Sequence, residues 1–201
     1  MKKYLPLLLI VLVNVQPLSA QDHANAKVLR FGIRAGANFS HMNFYKGVPP
    51  VDIKTNWETG ICVGFLLQVP VVENLTIQPE YLFSQLGGEI KDSKIKYRLN
   101  YFSMPVLLKY QFTSKIAAMA GPQLDLLVNA KKDSSGNSST ITHDTEERNF
   151  GLTVGMEFQL VKHLAITGRY MHGLNHVGIG QRSNVKEFKY EVLQVSVCTR
   201  F

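Results

Sequence analysis

The chain ends on Leu193-Gln-Val-Ser-Val-Cys-Thr-Arg-Phe201, in which apolar residues alternate with polar or small ones up to a terminal aromatic. A two-residue period is typical of a β-strand that has one apolar and one polar face. The stretch has no polar tail, although chain termini usually fray. We therefore expect this last strand to be held along its length by pairing with another strand.

The opposite end of the chain has the layout of a secretory signal peptide. Two lysines form a short basic start, residues 4–13 are apolar, and small residues precede Gln21. A membrane anchor is the alternative, but the apolar run is shorter than the roughly 20 residues that a spanning helix needs. We expect cleavage after Ala20, so that residues 1–20 are the signal peptide and residues 21–201 form one barrel domain.

The charge and the cysteines narrow the possible partners and compartments. The formal net charge of +7 becomes +5 when the two lysines of the signal peptide are removed. An exported chain rarely meets nucleic acid, so we expect no nucleic-acid partner and attribute the basic balance to anionic lipid head groups. Two cysteines, Cys62 and Cys198, are too few for a disulfide framework, and we expect both to be reduced and buried.

Eight stretches with a two-residue period follow the signal peptide. They cover residues 28–40, 57–70, 75–87, 99–112, 116–128, 149–160, 164–174 and 189–201. The connections between them alternate strictly between long polar loops and short turns. In an up-and-down antiparallel order, this places every long loop at one end, as in outer-membrane barrels, whose short turns face the periplasm.

The parity of the strands predicts which face lies in lipid. In the first strand, Phe31, Ile33 and Phe39 share one face, and Arg34 and Asn38 share the other. The polar faces are also rich in glycine, which is unfavourable in exposed strands but suits a narrow barrel interior. We therefore predict an all-β, eight-stranded, antiparallel up-and-down transmembrane β-barrel with a plugged polar lumen.

Nine charged residues fall on inward-facing positions, and their opposite charges are nearly balanced. They are Arg30, Arg34, Glu58, Glu80, Lys109, Asp125, Glu157, Arg169 and Arg200. Buried charges persist only when they are paired, so this set predicts a charge network that fills the lumen. Within it, a cluster of Glu80, Lys109, Gln123, Asp125 and Arg169 could be a binding or proton-relay site; a structural network that fixes strand register is the favoured interpretation.

Aromatic residues are expected at the two lipid–water interfaces. Phe39 and Trp57 would mark the interface nearer the long loops, and Tyr110, Phe112 and Phe201 the periplasmic one.

The first long loop, residues 41–56, carries apolar and aromatic side chains. Met42, Phe44 and Tyr45 are candidates for contact with a partner, because such residues in an exposed loop indicate an interaction surface.

No other constellation indicates chemistry. His143, His172 and His176 lack the carboxylate or cysteine spacing of a zinc site, so we expect no metal and no other cofactor. No arrangement of a nucleophile with a base, and no phosphate-binding loop, is visible, so we expect no enzymatic activity.

Four stretches carry a resemblance to a known family. They are residues 31–38 (FGIRAGAN), 75–81 (LTIQPEY), 100–110 (NYFSMPVLLKY) and 120–123 (AGPQ). In this order they resemble the PorT-like outer-membrane β-barrel family. The resemblance implies an integral outer-membrane protein of a Gram-negative cell, without a defined catalytic site, and associated in the founding member with protein secretion. The terminal aromatic resembles the signal by which barrel-insertion machinery recognises its substrates.

The leading hypothesis is a non-enzymatic barrel that serves as a scaffold or accessory to a secretion or surface complex, with its long outer loops as the contact surface. A narrow pore or small-molecule transport barrel is the first alternative, and nine inward charges argue against it. A soluble lipocalin-like barrel is the second, and it would need the apolar faces inside. A barrel-embedded hydrolase would need a catalytic group at the rim, which the loops do not supply.

Overall fold

A computed structural model describes residues 28–44, 53–91, 95–134, 137–179 and 186–201. The strands of these segments are β1 Arg30–Phe44, β2 Thr55–Asn56, β3 Glu58–Val72, β4 Leu75–Ile90, β5 Ile95–Gln111, β6 Ile116–Ser134, β7 Asn137–Thr140, β8 Arg148–Val161, β9 Leu164–Gly173, β10 Val177–Ile179 and β11 Lys186–Arg200, with a 3₁₀ turn at Thr142–Asp144. Among the described residues, no helix is long and apolar enough to cross a membrane. The expected signal peptide lies outside the described residues.

Eight of the described strands close into one antiparallel barrel. Each long strand pairs with its neighbour in chain order through β1, β3, β4, β5, β6, β8, β9 and β11. The barrel closes because β11 also pairs with β1, from Gly32 opposite Arg200 to Phe44 opposite Phe188. The backbone NH of Phe201 donates to the carbonyl of Phe31 at 2.9 Å, so the chain end is fixed, as its alternation predicted.

The strands extend further at the long-loop end than the sequence predicted. β4 and β5 remain paired to Ile90 and Ile95, across residues assigned from sequence to a polar loop. β6 continues to Ser134 and pairs there with the short strand β7. These paired strands therefore extend the barrel wall beyond the band of outward-facing apolar residues.

The outer surface follows the predicted parity. Phe65, Leu108 and Val195 are about half exposed on the outside, whereas Arg34 and Glu80 are buried inside. This is the reverse of what a lipocalin-like barrel requires. Near the long-loop end the outward residues become polar, and there Nε2 of Gln85 donates to the side-chain oxygen Oδ1 of Asn100 at 3.2 Å.

Inward-facing glycines allow neighbouring strands to approach closely. A Cβ at Gly64 would overlap the carbonyl oxygen of Tyr81 on the adjacent strand, whereas a Cβ at Gly168, which lies on the outward face of β9, would meet nothing within 4 Å. Gly168 is therefore an outward-facing control position, at which a methyl group has space.

We expect Gly64→Ala to lower the free energy of unfolding by about 1–3 kcal/mol, because the added methyl group must displace a backbone carbonyl. Gly168→Ala should leave stability nearly unchanged. Urea titration of both variants, refolded in the same detergent, measures the difference. Equal stability of the two variants would contradict the close approach of β3 and β4.

Candidate functional site

The lower half of the lumen, nearer the short turns, contains a carboxylate held by two arginines. Glu80 on β4 accepts from both terminal nitrogens of Arg169, Nη1 to Oε2 at 2.7 Å and Nη2 to Oε1 at 2.6 Å. Arg34 donates to the same carboxylate at 3.3 Å and to the hydroxyl of Ser196 at 2.7 Å. The three charged side chains come from β1, β4 and β9, so their ion pairs cross the barrel interior and fix those walls relative to one another.

A second carboxylate closer to the short turns also has two cationic partners. Oε1 of Glu157 lies 2.5 Å from Nζ of Lys109 and 2.9 Å from Nη2 of Arg200. Arg200 donates as well to the side-chain oxygen of Gln159. The side chains of Lys109, Glu157 and Arg200 are all less than a tenth exposed, so this group is part of the packed interior.

Six of the nine predicted lumen charges therefore meet in two clusters, and three lie apart. Arg30 is exposed at the short-turn mouth, because the pairing of β11 ends with Arg200 opposite Gly32 and leaves Arg30 beyond it. Glu58 lies near the long-loop end, where it is 2.6 Å from Lys96. Asp125 is the third. The prediction of a single network of nine was wrong for these three residues, because parity specifies a face of the sheet and not a height along the barrel axis.

Asp125 lies above the two clusters, in a layer where its partners are amide and hydroxyl side chains rather than cations. Its carboxylate accepts from the amides of Gln123 and Asn149, both at 2.8 Å. The oxygen of Gln123 in turn accepts from Thr153 at 2.7 Å. The predicted cluster of five is thus divided: Gln123 joins Asp125, Arg169 joins Glu80, and Lys109 joins Glu157.

The upper interior, toward the long loops, is apolar. Its buried members are Met42, Phe44, Leu86, Ile90, Tyr97, Leu99, Tyr101, Ala130, Met171, Val177, Ile179, Phe188, Tyr190 and Val192. The ring of Phe188 contacts those of Phe44 and Tyr190, with centroids 5.5 and 4.9 Å apart. The lumen is therefore filled by two unlike layers, and the prediction of a polar interior describes only the lower one.

The prediction that Met42 and Phe44 lie in an exposed contact loop was wrong. Both residues belong to β1, and their side chains are 0% and 8% exposed inside the apolar layer. They continue the inward parity of Arg34, Asn38 and Ser40, so the strand extends beyond the band of outward-facing apolar residues. Tyr45, the third member of that prediction, lies outside the described residues.

Little free space remains between the two layers. A polar cavity of about 20 Å³ lies among Asn38, Gln123, Arg169 and Gln194. A volume of this size holds about one water molecule and no larger solute. In the described part of the chain, the lumen is thus blocked by side chains along its axis.

The predicted interface aromatics all lie on the outer surface. Phe39, Trp57, Tyr110, Phe112 and Phe201 are between 39% and 70% exposed. Tyr110 and Phe112 pack edge to face at 5.1 Å near the short turns, and Trp57 lies 5.3 Å from His41 near the long loops. Their role at the lipid–water boundaries stays a prediction.

The cysteines and histidines form no evident centre. Cys62 and Cys198 are buried and free, as expected, and lie on two strands that flank β1. Among the described residues, no group of three or more histidine, cysteine or acidic side chains could hold a metal ion.

Sequence reasoning missed several uncharged side chains that form hydrogen bonds inside the lumen. Ser196 and Gln78 bind the first cluster, the latter donating to Glu80 at 2.5 Å, and Gln194 donates to Asn38 at 2.9 Å. All of them lie on inward positions of their strands, so strand parity was the signal that could have identified them.

Comparison with known proteins gives a family and a fold. Residues 19–178 match the model of the family described as the outer membrane protein beta-barrel domain. Comparison with curated protein sequences gives no significant match.

Two solved outer-membrane structures have a similar fold. Neisserial surface protein A is 15% identical, with a TM-score of 0.54, over 85% of this chain and 97% of that one. Ail, the attachment invasion locus protein of Yersinia pestis, is 13% identical, with a TM-score of 0.51, over 86% of this chain and 98% of that one.

The carboxylate of Glu80 is the counter-ion of two buried guanidinium groups, so its charge should matter for stability. We expect Glu80→Gln to lower the free energy of unfolding by about 3–5 kcal/mol, because it leaves two buried guanidinium groups without a counter-ion. The measurement is the urea midpoint of the protein refolded in detergent.

Glu58→Gln is the matched control, since it removes the same charge from a pair that is partly exposed. Its cost should be at most about 1 kcal/mol. If Glu80→Gln lowers the free energy of unfolding no more than Glu58→Gln does, the buried cluster contributes no more to stability than a partly exposed ion pair.

Proposed function

The chain belongs to the outer membrane protein beta-barrel domain family, and from that premise we propose that it is a non-enzymatic anchor that presents an extracellular contact surface. The filled lumen carries this proposal. Among the described residues, the ion-pair clusters and the apolar layer leave between them a cavity of about 20 Å³, which is too small for a transported solute. A barrel that is blocked inside acts through its ends, so the surface at the long-loop end is the candidate for function.

The contact surface that we propose is a basic rim, defined as Lys96, Arg98, Lys131, Lys132 and β7. Arg98 lies opposite Lys131 in the ladder between β5 and β6, just beyond the level at which the outward residues become polar. All four residues of β7 are exposed, and each pairs with β6. Because paired strands support this rim, it offers a partner a surface of fixed shape.

The charge of the rim favours an anionic partner. The side chain of Arg98 is 51% exposed, and in the described part of the chain its ion pair is a partly exposed one with Asp133, at 3.1 Å. Exposed pairs of this kind contribute little to stability, so an incoming anionic group can replace the carboxylate at small cost. This rim replaces the first-loop aromatics as the proposed contact surface.

The finer parts of the proposal rest on the sequence. The resemblance of residues 100–110 to the PorT-like family supports a role as an accessory to a secretion or surface complex. Removal of residues 1–20 as a signal peptide and recognition of Phe201 by barrel-insertion machinery belong to the same proposal.

The lumen is tested by conductance. We expect planar bilayers containing the refolded protein to conduct no more current than protein-free bilayers, because two layers of side chains block the axis. Bilayers with a 16-stranded porin serve as the positive control. Stable single-channel steps from this chain would contradict the anchor and favour a narrow pore.

The rim is tested by site-specific photo-crosslinking in intact cells. A photoreactive residue at Ser138 on β7 should give a discrete protein adduct. Arg98→Glu combined with Lys131→Glu should abolish that adduct, because charge reversal repels an anionic partner.

Lys115→Glu is the control, since it changes charge at the short-turn end of the same barrel. It should leave the adduct intact. An adduct that survives the rim reversal, or the absence of an adduct in the unsubstituted rim, would contradict a contact role for this surface.

A further inference from the structure

The short-turn end of the barrel contains an open vestibule that the proposed function does not use. It has a volume of about 850 Å³ and is bordered by Arg30, Gln68, Lys109, Gln159, Lys162 and Arg200, among others. In outer-membrane barrels this end faces the periplasm. Unlike the small cavity in the lumen, it has room for a ligand of several heavy atoms.

Positive charge predominates in this vestibule. Its lining includes four cationic side chains, Arg30, Lys109, Lys162 and Arg200, and one acidic side chain, Glu73. Two of these cations share the single carboxylate of Glu157, at 2.5 and 2.9 Å. That group therefore keeps one positive charge in excess.

The groups deeper in the lumen add to the excess. Arg34 and Arg169 share the single carboxylate of Glu80, so the Glu80 cluster also carries two cations for one anion. Asp125 is bonded to amides in the layer above and lies further from the mouth. Low-dielectric walls weaken screening, so the field of these buried cations is concentrated at the open end.

The vestibule also combines fixed and adaptable donors. Lys109 and Arg200 are 5% and 7% exposed, and their positions are set by Glu157 at the floor. Arg30 and Lys162 are exposed at the mouth, and neither forms an ion pair within the described part of the chain. A ligand could therefore meet immobile cations below and flexible cations around it.

We propose that this vestibule is a binding site for phosphate groups that approach from the periplasmic side. Arginine presents a planar fork of donors that matches phosphate oxygens, and lysine contributes a point charge. Two sources share this chemistry: a soluble phosphorylated molecule and the head group of a phospholipid in the inner leaflet. The site is independent of the rim and of any partner there.

The test uses the refolded full chain in neutral detergent, titrated with inorganic pyrophosphate by calorimetry at low ionic strength. We expect saturable binding to one site per chain. Arg30→Gln combined with Lys162→Gln should weaken that binding about tenfold or more, because two charge-assisted contacts are lost. Both residues are exposed and lie outside the packed clusters, so the variant should fold.

Arg98→Gln combined with Lys131→Gln is the matched control, since it removes the same charge from the opposite end. It should bind pyrophosphate like the unsubstituted chain. Equal weakening in the two variants would overturn the proposal in favour of a general attraction to a basic protein. Loss of pyrophosphate binding when sodium chloride is added to the ionic strength of the pyrophosphate itself would do the same.

A lipid arm distinguishes the two sources. In nanodiscs, phosphatidylglycerol should weaken pyrophosphate binding relative to phosphatidylcholine if inner-leaflet head groups occupy the vestibule. Unchanged affinity would assign the site to soluble phosphates. Both results support a phosphate site, whereas the absence of saturable binding in detergent and in both lipids would overturn it.

Discussion

The pairing of β1 with β11 is the constraint on which the rest of the structure depends. Hydrocarbon offers no hydrogen-bonding partner, so an unpaired strand edge in lipid would leave a row of backbone groups unsatisfied. The ladder from Gly32 opposite Arg200 to Phe44 opposite Phe188 removes both edges at once. Once the sheet is closed, alternation directs one set of side chains into lipid and the other into a narrow lumen.

Closure also explains the chemistry of the interior. Side chains on the inner face of eight strands fill the available width, so charged residues must find partners across the barrel. Glu80 and Glu157 each meet two cations in the lower half, and the aromatic and aliphatic layer fills the upper half. In the described part of the chain these layers block the axis, and for that reason our two proposed contact sites lie at the ends of the barrel, a basic rim at the long-loop end and a basic vestibule at the short-turn end.

Much of this architecture was predictable from local pattern, because alternation is visible in single strands. The strand order, the closed barrel, and the inward positions of Arg34 and Glu80 followed from it. The inward parity also continues through Met42 and Phe44, but the sequence prediction ended the strand at Ser40 and assigned these residues to a loop. The partners of each carboxylate could not be predicted, because Arg34 and Glu80 are 46 positions apart and meet only through the register of the intervening strands.

The central claim is a closed membrane barrel with apolar residues outside and charges inside. The most direct measurement is carbonate extraction of outer membranes, followed by gel electrophoresis of the retained protein with and without boiling. The account predicts that the protein stays in the membrane and that the unboiled form migrates at a different apparent mass, because a closed barrel resists detergent. Release by carbonate, with identical mobility of the boiled and unboiled forms, would contradict it and would require the two faces of every strand to be reassigned.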